Sequence, residues 1–266
     1  MIVGTNEQAV LQQILVLKSN NIALATMKGM DGTQRLLEQI EAISPVTVTV
    51  FRTKAAGDFP AVLTSPEEAA RQFYQIIKPV WSGVKVDLYE PVNEWHGIQP
   101  EYKVRVIMEL LRLGNADGFC LLVPGDAPGN PTTFDEVRGY APIYRYILER
   151  PCNMVSAHSY GIDKLLSESG LWLGYRHRLN LIAIKEVVPL AEHVNVILSE
   201  VGPYDGRRQL DCTTFVNDMM SYSSGLQSDP YVIGFHAFTL GLRGEWSNWT
   251  DCISSVTQAL LNNNKY

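Results

Sequence analysis

The sequence predicts a single α/β domain that folds as a (β/α)8 barrel, also called a TIM barrel. Short runs of apolar and β-branched residues alternate with longer stretches of helical period, and turn residues separate them. Eight such strand–helix units fit into 266 residues, close to the usual barrel length of about 250 residues. No linker-like stretch divides the chain, so we expect one domain over residues 1–266.

Eight strands are predicted in order along the chain. They span residues 1–3, 22–27, 46–51, 84–89, 118–123, 153–157, 194–199 and 231–238. Most lack the apolar–polar alternation of a half-exposed strand, which indicates strands covered on both faces, as in a parallel sheet. Residues 1–4 are very short for a barrel strand. We therefore expect either a trimmed chain or an imperfect barrel at its first strand.

Eight helices are predicted between these strands. They lie near residues 6–19, 34–43, 66–79, 101–113, 134–149, 175–189, 209–223 and 252–262. In the third helix, Ser65 and Glu68 are placed as a capping box around Pro66 at the first helical position. Phe73 and Ile77 then recur at the spacing of one apolar helix face.

The composition excludes several classes of protein. An apolar fraction of 46% with 19% charged residues supports a sizeable core and excludes a disordered chain. The net charge of −6 and the lack of a Lys/Arg run make nucleic acid an unexpected partner. No segment has the roughly 20 apolar residues that cross a bilayer, so no membrane association is expected. The competing open, doubly wound sheet would carry a glycine-rich phosphate loop, and the sequence has none.

The N-terminus and the cysteines bear on the cellular compartment. The N-terminus does not read as a signal peptide, so we expect a cytoplasmic or leaderless protein, or a secreted or virion-associated one whose leader has been removed. The four cysteines Cys120, Cys152, Cys212 and Cys252 show no C-x-x-C spacing. Free thiols are therefore favoured over zinc ligands or disulfides. Cys212 and Cys252 form the one pairing to check, because both precede predicted helices.

Polar residues close several of the predicted strands. In a (β/α)8 barrel the active site forms at the C-terminal ends of the strands. Side chains at these ends are therefore expected to share one basin, namely Lys28, Arg52, Asn93, Glu94, His158, Tyr160 and Glu200.

Two members of this set are carboxylates on opposite sides of the predicted barrel. Glu94 follows the fourth strand and Glu200 follows the seventh. Cleavage of a glycosidic bond needs such a pair, because one carboxylic acid protonates the leaving oxygen while the other attacks the anomeric carbon or activates water. The sequence therefore predicts two carboxylates that face each other across a sugar ring.

The segments that carry these residues resemble a known family. Residues 90–95 (EPVNEW) and 197–202 (ILSEVG) resemble the strand-four Asn-Glu and the strand-seven Glu of the clan A glycoside hydrolases, the large retaining (β/α)8 group. Residues 157–161 (AHSYG) are similar to the His-x-Tyr of several clan families. The resemblance implies a retaining glycosidase without a cofactor, acting on β-glycosidic bonds of an oligo- or polysaccharide. In this family Glu94 would be the acid/base and Glu200 the nucleophile.

Seven further residues are candidates for substrate binding: Asn93, His158, Tyr160, Lys28, Arg52, Trp95 and Trp246. Asn93 is expected to donate to the sugar 2-hydroxyl, and the tryptophans to stack on sugar faces. Each has a plainer alternative, such as a turn residue, a core histidine or a packed tryptophan. Glu90 is expected to be buried in an ion pair with Lys28 or Arg52.

Two other functions stay open. The first is a carbohydrate-binding barrel without catalysis, associated with a virion or a cell surface, since a fold does not fix a function. The second is a metal-dependent hydrolase, although no metal is expected because the five histidines form no HExxH or HxH pair. The sequence departs from clan members at Trp95 and Phe238, where they often have Pro and Trp. The identity of the sugar therefore stays open. The Gly/Pro-rich loop 124–132 is interpreted as a plain connection.

Overall fold

The computed structural model describes residues 2–3, 7–57, 65–95, 97–204, 210–238 and 252–263. Parallel strands alternate with helices along the chain, which confirms the predicted (β/α)8 fold. The strands are β1 (Ile2–Val3), β2 (Thr26–Met30), β3 (Val48–Arg52), β4 (Leu88–Tyr89), β5 (Leu122–Asp126), β6 (Met154–Tyr160), β7 (Val196–Gly202) and β8 (Val232–Ala237).

The strands pair in chain order as two four-stranded parallel sheets, β1 to β4 and β5 to β8. A bridge between Tyr89 and Leu121 joins the two sheets. On the opposite side, Thr26 Oγ1 of β2 lies 2.9 Å from His236 Nε2 of β8. The two sheets therefore enclose one interior. β1 pairs with β2 over two residues, so the first strand is as short as predicted.

The helices lie between the strands in sequence. They are α1 (Glu7–Ser19), α2 (Gln34–Ile43), α3 (Pro66–Trp81), α4 (Pro100–Ala116), α5 (Phe134–Gly139), α6 (Ala141–Glu149), α7 (Gly170–Leu173), α8 (Arg176–Lys185), α9 (Cys212–Leu226) and α10 (Ile253–Asn263). The helix predicted at 134–149 is divided at Tyr140, because Pro142 lacks the N–H that would continue α5. None of the described helices has the length and apolarity to cross a membrane.

Four strands extend three residues beyond their predicted ends, and β3 extends one residue beyond its own. β2, β5, β6 and β7 end at residues 30, 126, 160 and 202, rather than at 27, 123, 157 and 199. The prediction ended each strand where polar residues begin. The barrel interior accepts polar side chains near its C-terminal end, so Lys28, His158 and Glu200 lie within strands rather than after them.

The interior is layered. Four buried side chains, Val50, Leu88, Leu122 and Ile197, form an apolar floor inside the barrel. Arg52 comes two residues after Val50 in β3, and Glu200 three residues after Ile197 in β7, so both lie on the C-terminal side of this floor. A larger apolar core fills the space between strands and helices. The floor closes the barrel from below and leaves its C-terminal end as the place for polar chemistry.

Both cysteine pairs are disulfides, so the expectation of free thiols was wrong. The register pairs Leu122 of β5 with Met154 of β6, which brings Cys120 opposite Cys152 just before the two strands. Cys212 and Cys252, the pairing singled out from the sequence, join the starts of two helices with 5.1 Å between Cα atoms. The first pairing was missed because it depends on the register of neighbouring strands.

Candidate active site

Glu200 lies at the centre of a buried polar cluster at the C-terminal end of the barrel. Its side chain is about 6% exposed. The Arg52 guanidinium donates to Oε1, and the Tyr160 hydroxyl donates to Oε2 at 2.9 Å. Lys28 Nζ lies 3.5 Å from Oε1. Three predicted site residues from three other strands therefore meet at this carboxylate.

These neighbours decide the ionisation of Glu200. Burial alone would raise the pKa of its carboxyl, but the positive charges of Arg52, His158 and Lys28 and the hydrogen bond from Tyr160 outweigh it. The pKa of Glu200 is therefore held well below its usual range. The carboxylate is ionised at neutral pH, as a nucleophile must be.

Glu94 follows β4 in an unusual backbone conformation. Its φ of 48° is in the left-handed region, which non-glycine residues seldom adopt and which is found most often at functional sites. Its N–H donates to the carbonyl of Gly125 at 2.8 Å. Gly125 also has positive φ, and a Cβ there would lie 2.3 Å from the carbonyl oxygen of Val92. The segment before Glu94 and the end of β5 thus fit against each other only with glycine at position 125.

His158 lies between the two candidate catalytic carboxylates. Its Nδ1 is 2.7 Å from Oε1 of Glu94 and 3.6 Å from Oε2 of Glu200. A register shift between Ala157 and His158 places His158 beside Glu200 in the β6–β7 pair. One ligand atom from each of the three side chains lies within 4.8 Å of the others. The two glutamates are thereby brought to the same nitrogen of the imidazole ring.

Asn93 is oriented by Arg52. The Arg52 guanidinium donates to Oδ1 of Asn93 as well as to Glu200. Because a guanidinium can only donate, the Asn93 carbonyl oxygen is occupied and its amide NH2 is left to donate elsewhere. This orientation suits a contact with a substrate hydroxyl.

Lys28 and Glu90 form an ion pair beneath Glu200, and both side chains are fully buried. Lys28 also donates to the carbonyl of Ser199 at 3.1 Å, and Arg52 Nη1 lies 3.8 Å from Glu90. The ion pair predicted for Glu90 is present. The prediction that Lys28 binds substrate is corrected, because a fully buried ammonium supports Glu200 from below and does not reach the cleft.

Two tryptophans, Trp95 and Trp246, are predicted as sugar platforms. Trp95 is 7% exposed, and its ring packs edge-on against Phe73 with 5.5 Å between centroids. It belongs mainly to the packing of the segment after β4 against α3, and its role in stacking on a sugar stays a prediction. Trp246 lies outside the described residues. Phe238 packs edge-on against Tyr160 at 5.9 Å, which places an aromatic ring beside the site where a tryptophan is frequent in the resembled family.

Glu94, His158 and Glu200 are also the described group that could hold a metal ion. The charges around Glu200 do not favour that use. Its two oxygens already accept from Arg52 and Tyr160, and the Lys28 ammonium lies 3.5 Å away. A divalent cation there would be placed beside two positive groups. The arrangement suits proton transfer and nucleophilic attack better than metal binding.

A second buried polar group was missed by the sequence analysis. Lys103 of α4 forms an ion pair with Oδ1 of Asp126, and the Tyr140 hydroxyl donates to Oδ2 at 2.8 Å. Asp126 is the last residue of β5 and would have been found by the strand-end rule if β5 had been extended to it. Nothing in the sequence singled out Lys103, which lies in the first turn of a predicted helix.

The comparisons with known proteins agree with the fold. No protein-family model and no curated protein matches the sequence. Among solved structures, an endo-β-1,4-glucanase from Xanthomonas axonopodis pv. citri is similar with a TM-score of 0.59 at 13% identity, covering 98% of this chain and 93% of its own. A family 39 glycoside hydrolase from Bacteroides cellulosilyticus WH2 is similar with a TM-score of 0.58 at 9% identity, covering 100% of this chain and 63% of its own. An endo-β-mannanase/endo-β-glucanase from Prevotella bryantii is similar with a TM-score of 0.55 at 10% identity, covering 98% of this chain and 46% of its own.

These neighbours are (β/α)8 glycoside hydrolases, as the resemblance of the strand-four and strand-seven segments indicated. At 9–13% identity the likeness shows a shared fold. A fold of this kind hosts many chemistries, so function is argued from the site itself.

Proposed function

We propose that the protein is a retaining glycoside hydrolase that cleaves β-glycosidic bonds of an oligo- or polysaccharide without a cofactor. The observation that carries this proposal is the pair of carboxylates, Glu94 and Glu200, that meet at Nδ1 of His158. One is ionised and deeply buried, and the other is partly exposed, with 26% of its side chain accessible. Two carboxylates in such different environments suit the two roles that glycoside cleavage requires.

In the first step, a carboxylate oxygen of Glu200 attacks the anomeric carbon as the bond to the leaving oxygen breaks. Glu94 transfers its proton to that oxygen, so the leaving group departs as an alcohol. The products are a glycosyl ester on Glu200 and an ionised Glu94. Arg52 and Tyr160 hold the Glu200 carboxylate in place for the attack.

In the second step, a water attacks the same anomeric carbon from the face that the leaving group vacated. Glu94 takes one proton from this water, and Glu200 leaves as a carboxylate. Both carboxyl groups return to their starting states. Two displacements at one carbon give retention of configuration.

Retention rather than inversion is supported by the spacing of the two acids. Retaining enzymes have carboxyl groups about 5–5.5 Å apart, and inverting enzymes about 6.5–9.5 Å. Here one oxygen of Glu94 and one of Glu200 lie within 4.8 Å of each other. The short distance between these two oxygens favours the closer spacing of a retaining mechanism.

Asn93 supplies a further contact in this proposal. Its amide NH2, left over from the bond to Arg52, donates to the sugar 2-hydroxyl. That contact strengthens in the oxocarbenium-like transition state and contributes to catalysis.

The test is Glu200→Ala and Glu94→Ala on a panel of β-glycosides and polysaccharides, with exposed Glu149→Gln as a matched control. We expect each alanine variant to lose activity by about 10³-fold or more. Azide should restore activity to Glu200→Ala and give a glycosyl azide of inverted configuration, since the anion attacks from the side that the Glu200 carboxylate occupies in the wild type. Proton NMR of the first product should show retention. Full activity in both alanine variants would reject the assignment.

The same protein samples separate hydrolysis from binding alone. Calorimetry with oligosaccharides, run beside the hydrolysis assay, would identify a barrel that binds sugar without turnover. A purified protein whose activity requires a bound metal would point instead to the metal-dependent alternative.

The compartment is a proposal as well. Disulfides persist mainly in oxidising environments, and both cysteine pairs of the chain are disulfides. We therefore infer that the protein functions outside the reducing cytoplasm. Alkylation and mass spectrometry of protein isolated from its native source should find no free thiol, and four free thiols would contradict the inference.

A further inference from the structure

A polar cavity of about 350 Å³ adjoins Glu94. It lies between the start of α4, the end of β5 and the start of α5, and Gln99, Asp126, Asn130 and Thr132 are among the residues that line it. The loop 124–132, interpreted from the sequence as a plain connection, therefore forms one of its walls. A volume of this size lies within the range of small-molecule sites.

The lining of the cavity identifies which part of a substrate it faces. Among the described lining residues are Glu94 and its neighbour Trp95, but neither Glu200 nor Arg52. In glycoside cleavage the acid reaches the leaving oxygen, while the nucleophile reaches the anomeric carbon from the opposite side. A cavity that borders the acid and not the nucleophile is therefore on the side of the leaving group.

The base of the cavity is rigid and internally neutral. Asp126 is 6% exposed and accepts at both oxygens, from Lys103 at one and from Tyr140 at the other. Lys103 is 5% exposed, and its charge is neutralised by the ion pair with Asp126. The pair gives the cavity a fixed shape without giving it a free positive charge.

The wall adds negative charge. Oε2 of Glu136 accepts from the Thr132 N–H at 2.7 Å, from the Thr132 hydroxyl at 2.8 Å and from the Thr133 N–H at 3.1 Å. Hydrogen bonds from Thr132 and Thr133 lower the pKa of Glu136 despite the effect of burial, so it is ionised at neutral pH. Within the described lining Lys103 is the cation, and it is already paired. Arg176, which donates to the Pro131 carbonyl, attracts Glu136 from outside the lining. The described lining itself has more carboxyl groups than cations, so we expect it to disfavour an anionic sugar.

The exposed lining residues offer uncharged hydrogen-bonding groups. Gln99 and Asn130 are solvent-exposed on opposite sides of the cavity, one before α4 and the other in the loop after β5. Primary amides both donate and accept, which matches the hydroxyl groups of a pyranose.

We propose that this cavity binds an uncharged pyranose residue of the leaving group, so that the substrate is a neutral glycan held on both sides of the cleaved bond. The inference rests on the proposed glycosidase function and adds the class of substrate. It assigns to Gln99 and Asn130 a role in binding the leaving sugar, and to Glu136 the exclusion of uronic acids.

The experiment compares two substrates with the same reacting sugar. One is a neutral oligosaccharide, and the other is its 4-nitrophenyl glycoside, whose leaving group needs no sugar site. For the double variant Gln99→Ala/Asn130→Ala we expect kcat/KM to fall about 10- to 100-fold on the oligosaccharide, the loss expected from two hydrogen bonds. The aryl glycoside should change by less than about twofold. Gln75→Ala, an exposed glutamine on α3, is the matched control.

An equal loss on both substrates, or no loss on either, would overturn the proposal. A third substrate with a uronic acid in the leaving position tests the charge argument, and cleavage as fast as that of the neutral sugar would contradict it.

If the wild-type protein cleaves neither substrate, the proposed function fails, and the cavity is then tested by calorimetry with the neutral oligosaccharide. Weaker binding by the double variant would support the site, and unchanged binding would refute it.

Discussion

The Tyr160 hydroxyl donates to Oε2 of Glu200 at 2.9 Å, opposite the oxygen to which Arg52 donates. Burial and the negative charge of Glu200 raise the pKa of Tyr160 well above its ordinary value, so the hydroxyl keeps its proton and remains a donor. Glu200 is thus bound at both oxygens by groups that do not titrate near neutral pH. This arrangement fixes both its orientation and its charge.

Removal of this hydroxyl should weaken catalysis without unfolding the protein. A hydrogen bond to a charged group contributes about 1.5–3 kcal/mol, so we expect Tyr160→Phe to lower kcat/KM by about 10- to 100-fold. The acid limb of the pH–rate profile should shift upward, because Glu200 loses one stabilising donor. Tyr146→Phe, whose hydroxyl lies 3.5 Å from a carbonyl on the outer layer, should leave both quantities unchanged. An unaltered profile in Tyr160→Phe would contradict this role.

The buried pair of Lys28 and Glu90 predicts an unequal response of stability to single and double substitution. Lys28→Met leaves Glu90 fully buried without its nearest cation and should cost about 3–5 kcal/mol of unfolding free energy. Lys28→Met/Glu90→Leu removes both charges and should cost less. Urea unfolding of the two variants measures the difference. Equal losses would show that the two charges are not coupled.

The depressed pKa of Glu200 leads us to expect a less stable protein in acid. Its pKa in the folded protein is depressed below the ordinary value of 4.5. The group therefore stabilises the fold above about pH 4.5, and this contribution is lost as the pH falls towards the folded pKa. The free energy of unfolding, measured by urea from pH 7 to pH 3, should fall less steeply in Glu200→Gln than in the wild type. Glu149→Gln should keep the wild-type slope, and an unchanged slope in Glu200→Gln would refute the prediction.

The disulfides should each contribute to stability. They close loops between residues 32 and 40 positions apart in sequence, for which we expect about 2–4 kcal/mol each. Cys120→Ser/Cys152→Ser and Cys212→Ser/Cys252→Ser should each lower the free energy of urea unfolding by this amount. A reducing agent should destabilise the wild type but not a variant that lacks all four cysteines. Insensitivity of the wild type would contradict the pairing.

The barrel and most of its polar cluster were accessible from the sequence because both follow from chain order. Parallel strands present their C-terminal ends on one side, so Arg52, Glu94, His158, Tyr160 and Glu200 could be assigned to one basin without knowledge of any contact. The structure brings these five together. The segments that contain Glu94, His158 and Glu200 also indicated the similarity of the fold to that of glycoside hydrolases.

What could not be predicted depends on register and on which face a side chain occupies. Trp95 follows the acid directly in sequence, yet its ring packs against α3 because a backbone turn separates the two side chains. Lys28 looked like a strand-end residue and is fully buried within β2. Lys103 joins Asp126 from a helix that is distant in sequence. These placements arise from packing between separate elements, which local sequence patterns do not encode.

The hydrogen bond from the Glu94 amide to the Gly125 carbonyl has a consequence for protein engineering. A side chain at position 125 would collide with the carbonyl of Val92 and displace the segment that carries Glu94. Residues 127–132 lie beyond this junction, so they are the natural place to exchange loops when a new sugar preference is wanted. Libraries that randomise this stretch and keep Gly125 and Asp126 constant should retain turnover of an aryl glycoside, whereas libraries that vary Gly125 should yield mostly inactive clones.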